Sequence, residues 1–211
     1  MLAVNLNTKI VSETEINESI TPQILKYSKE YYVLAVLRYL FPGKYDDLIK
    51  LEEPDLQKED HSLGVEVVMA VSEKEMAETR KAADKNTNSS LFFTAFGGGR
   101  IDADLITALK KKNEKVLKYR HKVRSLYLAI ILDMPLTECV RITLQDFLKS
   151  NQMVLAYDSV IILCWDSCVV YTCSNHSFQD WKLEDRIRRR LGTIARMTAE
   201  GRLDLSAPEW Q

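Results

Sequence analysis

Apolar positions in "TPQILKYSKEYYVLAVLRYLFPG" recur at helical spacing and predict a first helix over residues 22–41. Thr21 can cap it, Pro22 suits its first turn, and Pro42-Gly43 stops it. A short strand around 46–51 and a turn at Pro54 come next, followed by the apolar strand "LGVEVVMAV" at 63–71. "SEKEMAETRKAADK" reads as a helix with Ser72 as cap and Glu75 closing a capping box. "LFFTAF" (91–96) predicts a strand, "GGG" a turn, and Asp102 or Asp104 the start of a long basic helix to about residue 122. "SLYLAIIL" (125–132) is a buried strand, and residues 136–150 form a surface helix. "SVIILCW" and "CVVYTC" are a pair of adjacent strands, and "FQDWKLEDRIRRRLGTIARMTAEG" is a final helix.

Strands and helices alternate throughout, which predicts an α/β or α+β class with a mixed central sheet flanked by helices. The 211 residues suit one domain, 1–211, with a core over about 22–175 and a C-terminal basic helix at about 179–200. No repeat or low-complexity tract interrupts it, and 46% apolar with 28% charged residues is an ordinary globular balance. No apolar run nears 20 residues, so no membrane span is expected. Cys139, Cys164, Cys168 and Cys173 form no CxxC pair, and with no signal peptide a reduced, cytoplasmic setting fits. Cys164, Cys168, Cys173 and His176 invite a zinc reading, but their spacing matches no usual finger, and cysteines on apolar strands are commonly small buried hydrophobes.

The net charge of −1 excludes a globally cationic nucleic-acid binder, yet the charges are sorted along the chain. Asp46, Asp47, Glu52, Glu53, Asp55, Glu59 and Asp60 crowd residues 44–60, whereas residues 110–124 carry eight Lys and Arg against Glu114 alone.

Two acids, Glu66 and Glu30, lie where apolar neighbours would prefer no charge, and a third, Asp55, can reach the first of them. Glu66 sits inside its strand on the face of Gly64, Val68 and Ala70, opposite Val65, Val67 and Met69, and that face is expected to be open around it. An antiparallel return across "LQKEDHS" would bring Asp55 beside Glu66, where two carboxylates repel and a divalent cation relieves them. Glu30 falls on the first helix's apolar stripe with Tyr27, Leu34, Leu37 and Phe41; a salt bridge to Lys26 or Arg38 is the plainer account of it.

A helix with an acid, a short strand, "PD" at Pro54-Asp55, a strand with an embedded Glu, then a basic helix and a buried strand: this order resembles the PD-(D/E)XK, or restriction-endonuclease-like, nuclease superfamily. "SLGVEVVMAV" is similar to a strand type of several bacterial branches. The likeness covers residues 22–132 in element order but only two short motifs in residue identity. It implies a metal-dependent phosphodiesterase acting on nucleic acid, with Asp55 and Glu66 holding Mg²⁺ or Mn²⁺ and Glu30 as auxiliary ligand. The family's lysine, two residues after the second acid, is here Val68, which cannot stabilise a developing oxyanion. In some members that lysine has moved to a neighbouring helix, so Lys112 and Lys115 are the candidates, with Lys58 and Lys74 behind them. The alternative is a non-catalytic member of the fold that binds nucleic acid or a protein; an unrelated α/β interaction domain is a third.

In "LKKKNEKVLKYRHKVR" helical spacing makes Leu105, Leu109, Lys112, Val116 and Tyr119 an inner stripe, with Lys111, Lys115, Lys118 and Lys122 on an outer flank. That flank suits either a phosphate backbone or plain solvent. "GGGR" at 97–100 lacks the Walker lysine and the GxGxxG spacing and reads as a flexible turn. His61, beside Asp60, could touch a metal, but a loop histidine among acids is usually just solvated.

Overall fold

The computed structural model describes residues 21–70, 112–132, 135–138, 141–142, 145–146 and 156–205. Its first element, α1 (Pro22–Leu40), starts where Thr21 Oγ1 accepts the Ile24 N–H at 3.2 Å, with Pro22 in the first turn. That cap satisfies one of the amides a helix start leaves without an internal partner. Val33, Val36 and Leu37 are wholly buried, each worth about 1.5–3 kcal/mol of apolar burial.

Seven strands follow: β1 (Leu48–Lys50), β2 (Leu56–Lys58), β3 (Leu63–Ala70), β4 (Ser125–Leu132), β5 (Ser159–Leu163), β6 (Ser167–Thr172) and β7 (Ser177–Lys182). They form one mixed sheet in sequence order; β3, β4 and β5 run parallel and the other pairs antiparallel. The expected mixed sheet with flanking helices is therefore present. Parallel centres are covered on both faces, which is why "SLYLAIIL" and "SVIIL" are nearly continuous in apolar residues.

Alternation along the central strands separates two cores. Val65, Val67, Ala129, Ile161 and Leu163 join α1 and the last helix, α3 (Asp185–Ala199), on one face. Leu126, Leu128, Ile130, Val160 and Ile162 join Val116 and Tyr119 of the short helix α2 (Val116–Arg120) on the other.

Three expectations are corrected. The long basic helix does not run unbroken to residue 122: residues 112–113 are helical, 114–115 form a turn, and α2 starts at Val116. The turn is tight, with Lys115 N–H donating to Lys112 O at 3.1 Å, and lysines four apart on one flank repel each other in a continuous helix. The segment from Phe178 is not helical at first; residues 177–182 pair with β6 as β7, and helix begins only at Asp185. Trp181 fixes this edge by meeting Phe41 edge-on at 4.6 Å between ring centres. Leu191, Ile194 and Ala195 of α3 share the buried cluster of α1, so the last helix belongs to the main core. Finally, "LQK" after Asp55 is a strand in its own right, β2, while the strand expected at 46–51 shortens to 48–50.

Residues 138, 141–142 and 145–146 are helical, in keeping with the surface helix expected there. The helix expected from Ser72, the strand at 91–96 and the "GGGR" turn lie outside the described residues.

Candidate functional site

The β2–β3 register pairs Leu56 with Val65 and Gln57 with Gly64, so one step further along Asp55 stands opposite Glu66. Gly64 permits the approach: a Cβ there would lie 2.5 Å from Pro54 Cγ and 3.1 Å from both methyls of Val123. Asp55 is buried and its Oδ2 accepts the Val67 N–H at 2.7 Å. One carboxylate oxygen thus caps the β3 backbone beyond the end of β2 and holds the side chain in a fixed orientation.

Glu66 is 3% exposed, so the expectation of an open face around it is corrected. Leu128 is its neighbour on β4, and α2 covers that face. A cation meets the charge instead: Lys112 Nζ donates to Glu66 Oε1. Glu66 Oε2 is buried and makes no hydrogen bond among the described residues. Burial raises the Glu66 carboxyl above its ordinary range, Lys112 pulls it back, and the charge of Asp55 raises it again. Tyr119 is pushed up to about 12, by burial first and then by the charges of Glu66 and Asp55. Tyr157 is raised for the same reasons, and its hydroxyl holds Lys112 O at 3.3 Å, steadying the turn that carries the lysine.

Glu30 approaches from the other face. It is 3% exposed on α1, with Lys50 Nζ at 3.2 Å from Oε2 and Lys26 Nζ at 3.7 Å from Oε1. Burial and then Asp55 raise its carboxyl to about 7, against the pull of Lys50. Arg38, the other partner considered for it, instead donates to the carbonyls of Asp46 and Leu48. Asp55 is the hinge of the arrangement, since its charge acts on Glu30 and on Glu66 alike.

Among the described residues no three His, Cys, Asp or Glu side chains close into a metal-ligand group. Lysines engage both Glu30 and Glu66, and Asp55 and Glu66 are the two carboxylates that the β2–β3 register sets opposite one another. The orphaned Glu66 Oε2 and the mutual repulsion with Asp55 suit Mg²⁺, which takes one or two protein carboxylates and keeps several waters.

The other candidates separate cleanly. Lys115 is exposed and makes no side-chain hydrogen bond or ion pair among the described residues, so Lys112 alone of the two is brought to the acids. Lys58 pairs with Asp47 at 2.7 Å, Lys122 pairs with Glu53 at 2.7 Å, and Lys118 is exposed. Lys74 and Lys111 lie outside the described residues. His61 Nδ1 meets the amide of buried Gln57. Cys164, Cys168 and Cys173 are buried and in no disulfide; burial pushes the first two up to about 12 and the third to about 11. Cys164 and Cys168 belong to opposite cores and His176 Nδ1 meets Tyr171 Oη at 2.6 Å, so they do not assemble the zinc site that their clustering in sequence invited; Cys139 lies outside the described residues.

Sequence reasoning missed Lys50, Glu52 and Glu53. Lys50 on β1 is close to both Glu30 and Glu52, and it lies over the Tyr27 ring at 3.6 Å. The signal available was its place as the inward-reaching polar residue of a short strand facing α1. No family model matches the chain, and no curated protein or solved structure matches it either.

Proposed function

We propose that the chain is a metal-dependent phosphodiesterase acting on nucleic acid, with Asp55, Glu66 and Lys112 as its centre. The observation that carries this reading is the Lys112 ammonium on the buried Glu66 carboxylate, with Asp55 opposite. Val68 leaves the usual place of the lysine apolar, and an amine from the segment before α2 supplies the missing charge. A bound Mg²⁺ would orient a water and neutralise charge on the phosphate.

Asp55, held through Oδ2 by the Val67 amide, keeps its carboxylate at a fixed place and angle. Glu66 offers the unpartnered Oε2. Lys112 stands one hydrogen bond from that group and can donate to the phosphoryl oxygens as charge grows on them. In the hydrolysis, water oxygen bonds to phosphorus, the bond to the leaving oxygen breaks, and the water proton ends on that oxygen through solvent. The buried, unbridged thiols suit a reducing, cytoplasmic compartment. Among the described residues no helix is long and apolar enough to cross a membrane.

The test is plasmid DNA and single-stranded RNA nicking in Mg²⁺ or Mn²⁺ by wild type, Glu66→Gln and Lys112→Met. Cleavage by wild type with loss in both variants is expected; equal products from all three would overturn the reading. One observation favours the non-catalytic alternative: the Lys112 ammonium already compensates the Glu66 charge. Binding of nucleic acid with no cleavage in any metal would select it.

A further inference from the structure

Glu52 and Glu53 are consecutive, exposed residues on the loop between β1 and Asp55; among the described residues Glu52 pairs with Lys26 and Lys50, and Glu53 with Lys122 alone. Glu52 accepts from Lys26 Nζ at 3.2 Å and from Tyr27 Oη at 3.3 Å, with Lys50 Nζ at 3.6 Å. Lys26 and Tyr27 come from α1, on the face that holds Glu30. Glu53 accepts from Lys122 Nζ at 2.7 Å, on the face covered by α2. Both carboxyls lie below their ordinary range, Glu52 through Lys26 and Glu53 through Lys122, with Lys118 adding to the latter.

An ordinary surface ion pair joins one acid to one base and contributes little. Here three donors converge on the Glu52 carboxylate, and Lys50, with its side chain 12% exposed, is committed to that place by the Tyr27 ring and Glu30. Among the described residues the acids have no further hydrogen bond or ion pair, and their side chains are 64% and 53% exposed. Lys50 is thus the built part, the Lys26 and Lys122 side chains are 48% and 36% exposed, and the carboxylates are the movable part. Both cradles adjoin Asp55, whose charge also acts on Lys26.

We infer that Glu52 and Glu53 occupy two phosphate subsites that flank the Asp55 and Glu66 centre, and that backbone phosphates of a nucleic acid displace them on binding. This rests on the phosphodiesterase reading for its substrate class. A phosphodiester carries one negative charge, as each glutamate does, so the exchange leaves the charge around the lysines unchanged while an exposed side chain swings into water. The acidic dipeptide thereby acts as a built-in competitor that weak, non-polymeric anions cannot displace at two places together.

The test measures binding of a short fluorescein-labelled DNA strand, single and duplex, by anisotropy in EDTA across a salt series, so that neither metal nor cleavage enters. Glu52→Gln and Glu53→Gln are each expected to tighten binding roughly three- to tenfold beyond Glu59→Gln, which removes one charge from an exposed acid on the β2–β3 turn. Lys26→Met and Lys122→Met are expected to weaken binding and lower the salt slope by about one each. Both lysines are partly exposed, so these variants are expected to fold. Glu52→Gln and Glu53→Gln behaving like Glu59→Gln would overturn the inference. Wild type that cleaves while these variants bind no tighter removes the subsites alone; tighter variants without cleavage in any metal remove the phosphodiesterase reading alone.

Discussion

Lys112 Nζ donates to Glu66 Oε1 across 46 residues of sequence, joining the turn before α2 to the middle of β3. An ionised carboxylate in an apolar strand is tolerable only with such a partner. The pair answers how β3 carries an acid among Val65, Val67 and Leu128, and it makes a position far along the chain part of the site.

Removing one member should be worse than removing both. Lys112→Met leaves Glu66 buried and uncompensated, a loss of about 3 kcal/mol, whereas Lys112→Met with Glu66→Met should recover most of it. Urea denaturation of the two single variants, the double variant and wild type gives the coupling directly. Additive losses would show that the two groups do not depend on each other.

Gly64→Ala should disturb the site through the backbone alone. The new methyl meets Pro54 Cγ at 2.5 Å and the Val123 methyls at 3.1 Å, and neither the proline ring nor β3 yields cheaply. A cost of about 1–3 kcal/mol is expected, together with loss of the Asp55 bond to the Val67 amide. Thermal melting reads the first, and amide exchange at Val67 reads the second.

Stability should fall as pH rises through a defined window. Glu30 titrates near 7 in the fold against an ordinary 4.5, so between those values the native protein holds a proton that the unfolded chain has released. Its contribution is greatest at the acid end and is lost towards pH 7, by up to about 1.4 kcal/mol per pH unit. Glu66, raised chiefly by burial, acts in the same direction. Denaturant midpoints measured across the window should flatten in Glu30→Gln.

Much of this was legible along the chain. Thr21, Pro22 and the stop at Pro42-Gly43 mark α1, and the unbroken apolar runs mark β4 and β5 because strands covered on both faces need no alternation. The Asp55 and Glu66 juxtaposition follows from an antiparallel return of fixed register, and Lys112 stood out by falling on the stripe of Val116 and Tyr119. What was hidden depends on tertiary contact. β7 precedes helical sequence without a break in composition, and only Phe41 and β6 make "SFQDWK" a strand. The turn at 114–115 and the Lys50 contacts arise from packing, and Glu52 and Glu53 looked like solvated charges.

The three described cysteines should be inert in the fold. Burial holds Cys164 and Cys168 near 12 and Cys173 near 11, so almost no thiolate forms at neutral pH. Iodoacetamide followed by peptide mass spectrometry should leave all three unlabelled in native protein and label all three in urea. Prompt native labelling would mean that the strands carrying them are open.

The central claim is that Asp55 and Glu66 share a divalent cation beside Lys112, and calorimetric titration with Mn²⁺ tests it most directly. Wild type should bind, Asp55→Asn with Glu66→Gln should give no heat of binding, and Lys112→Met should bind at least as tightly as wild type because the competing ammonium is gone. Equal binding by wild type and the double carboxylate variant would contradict it.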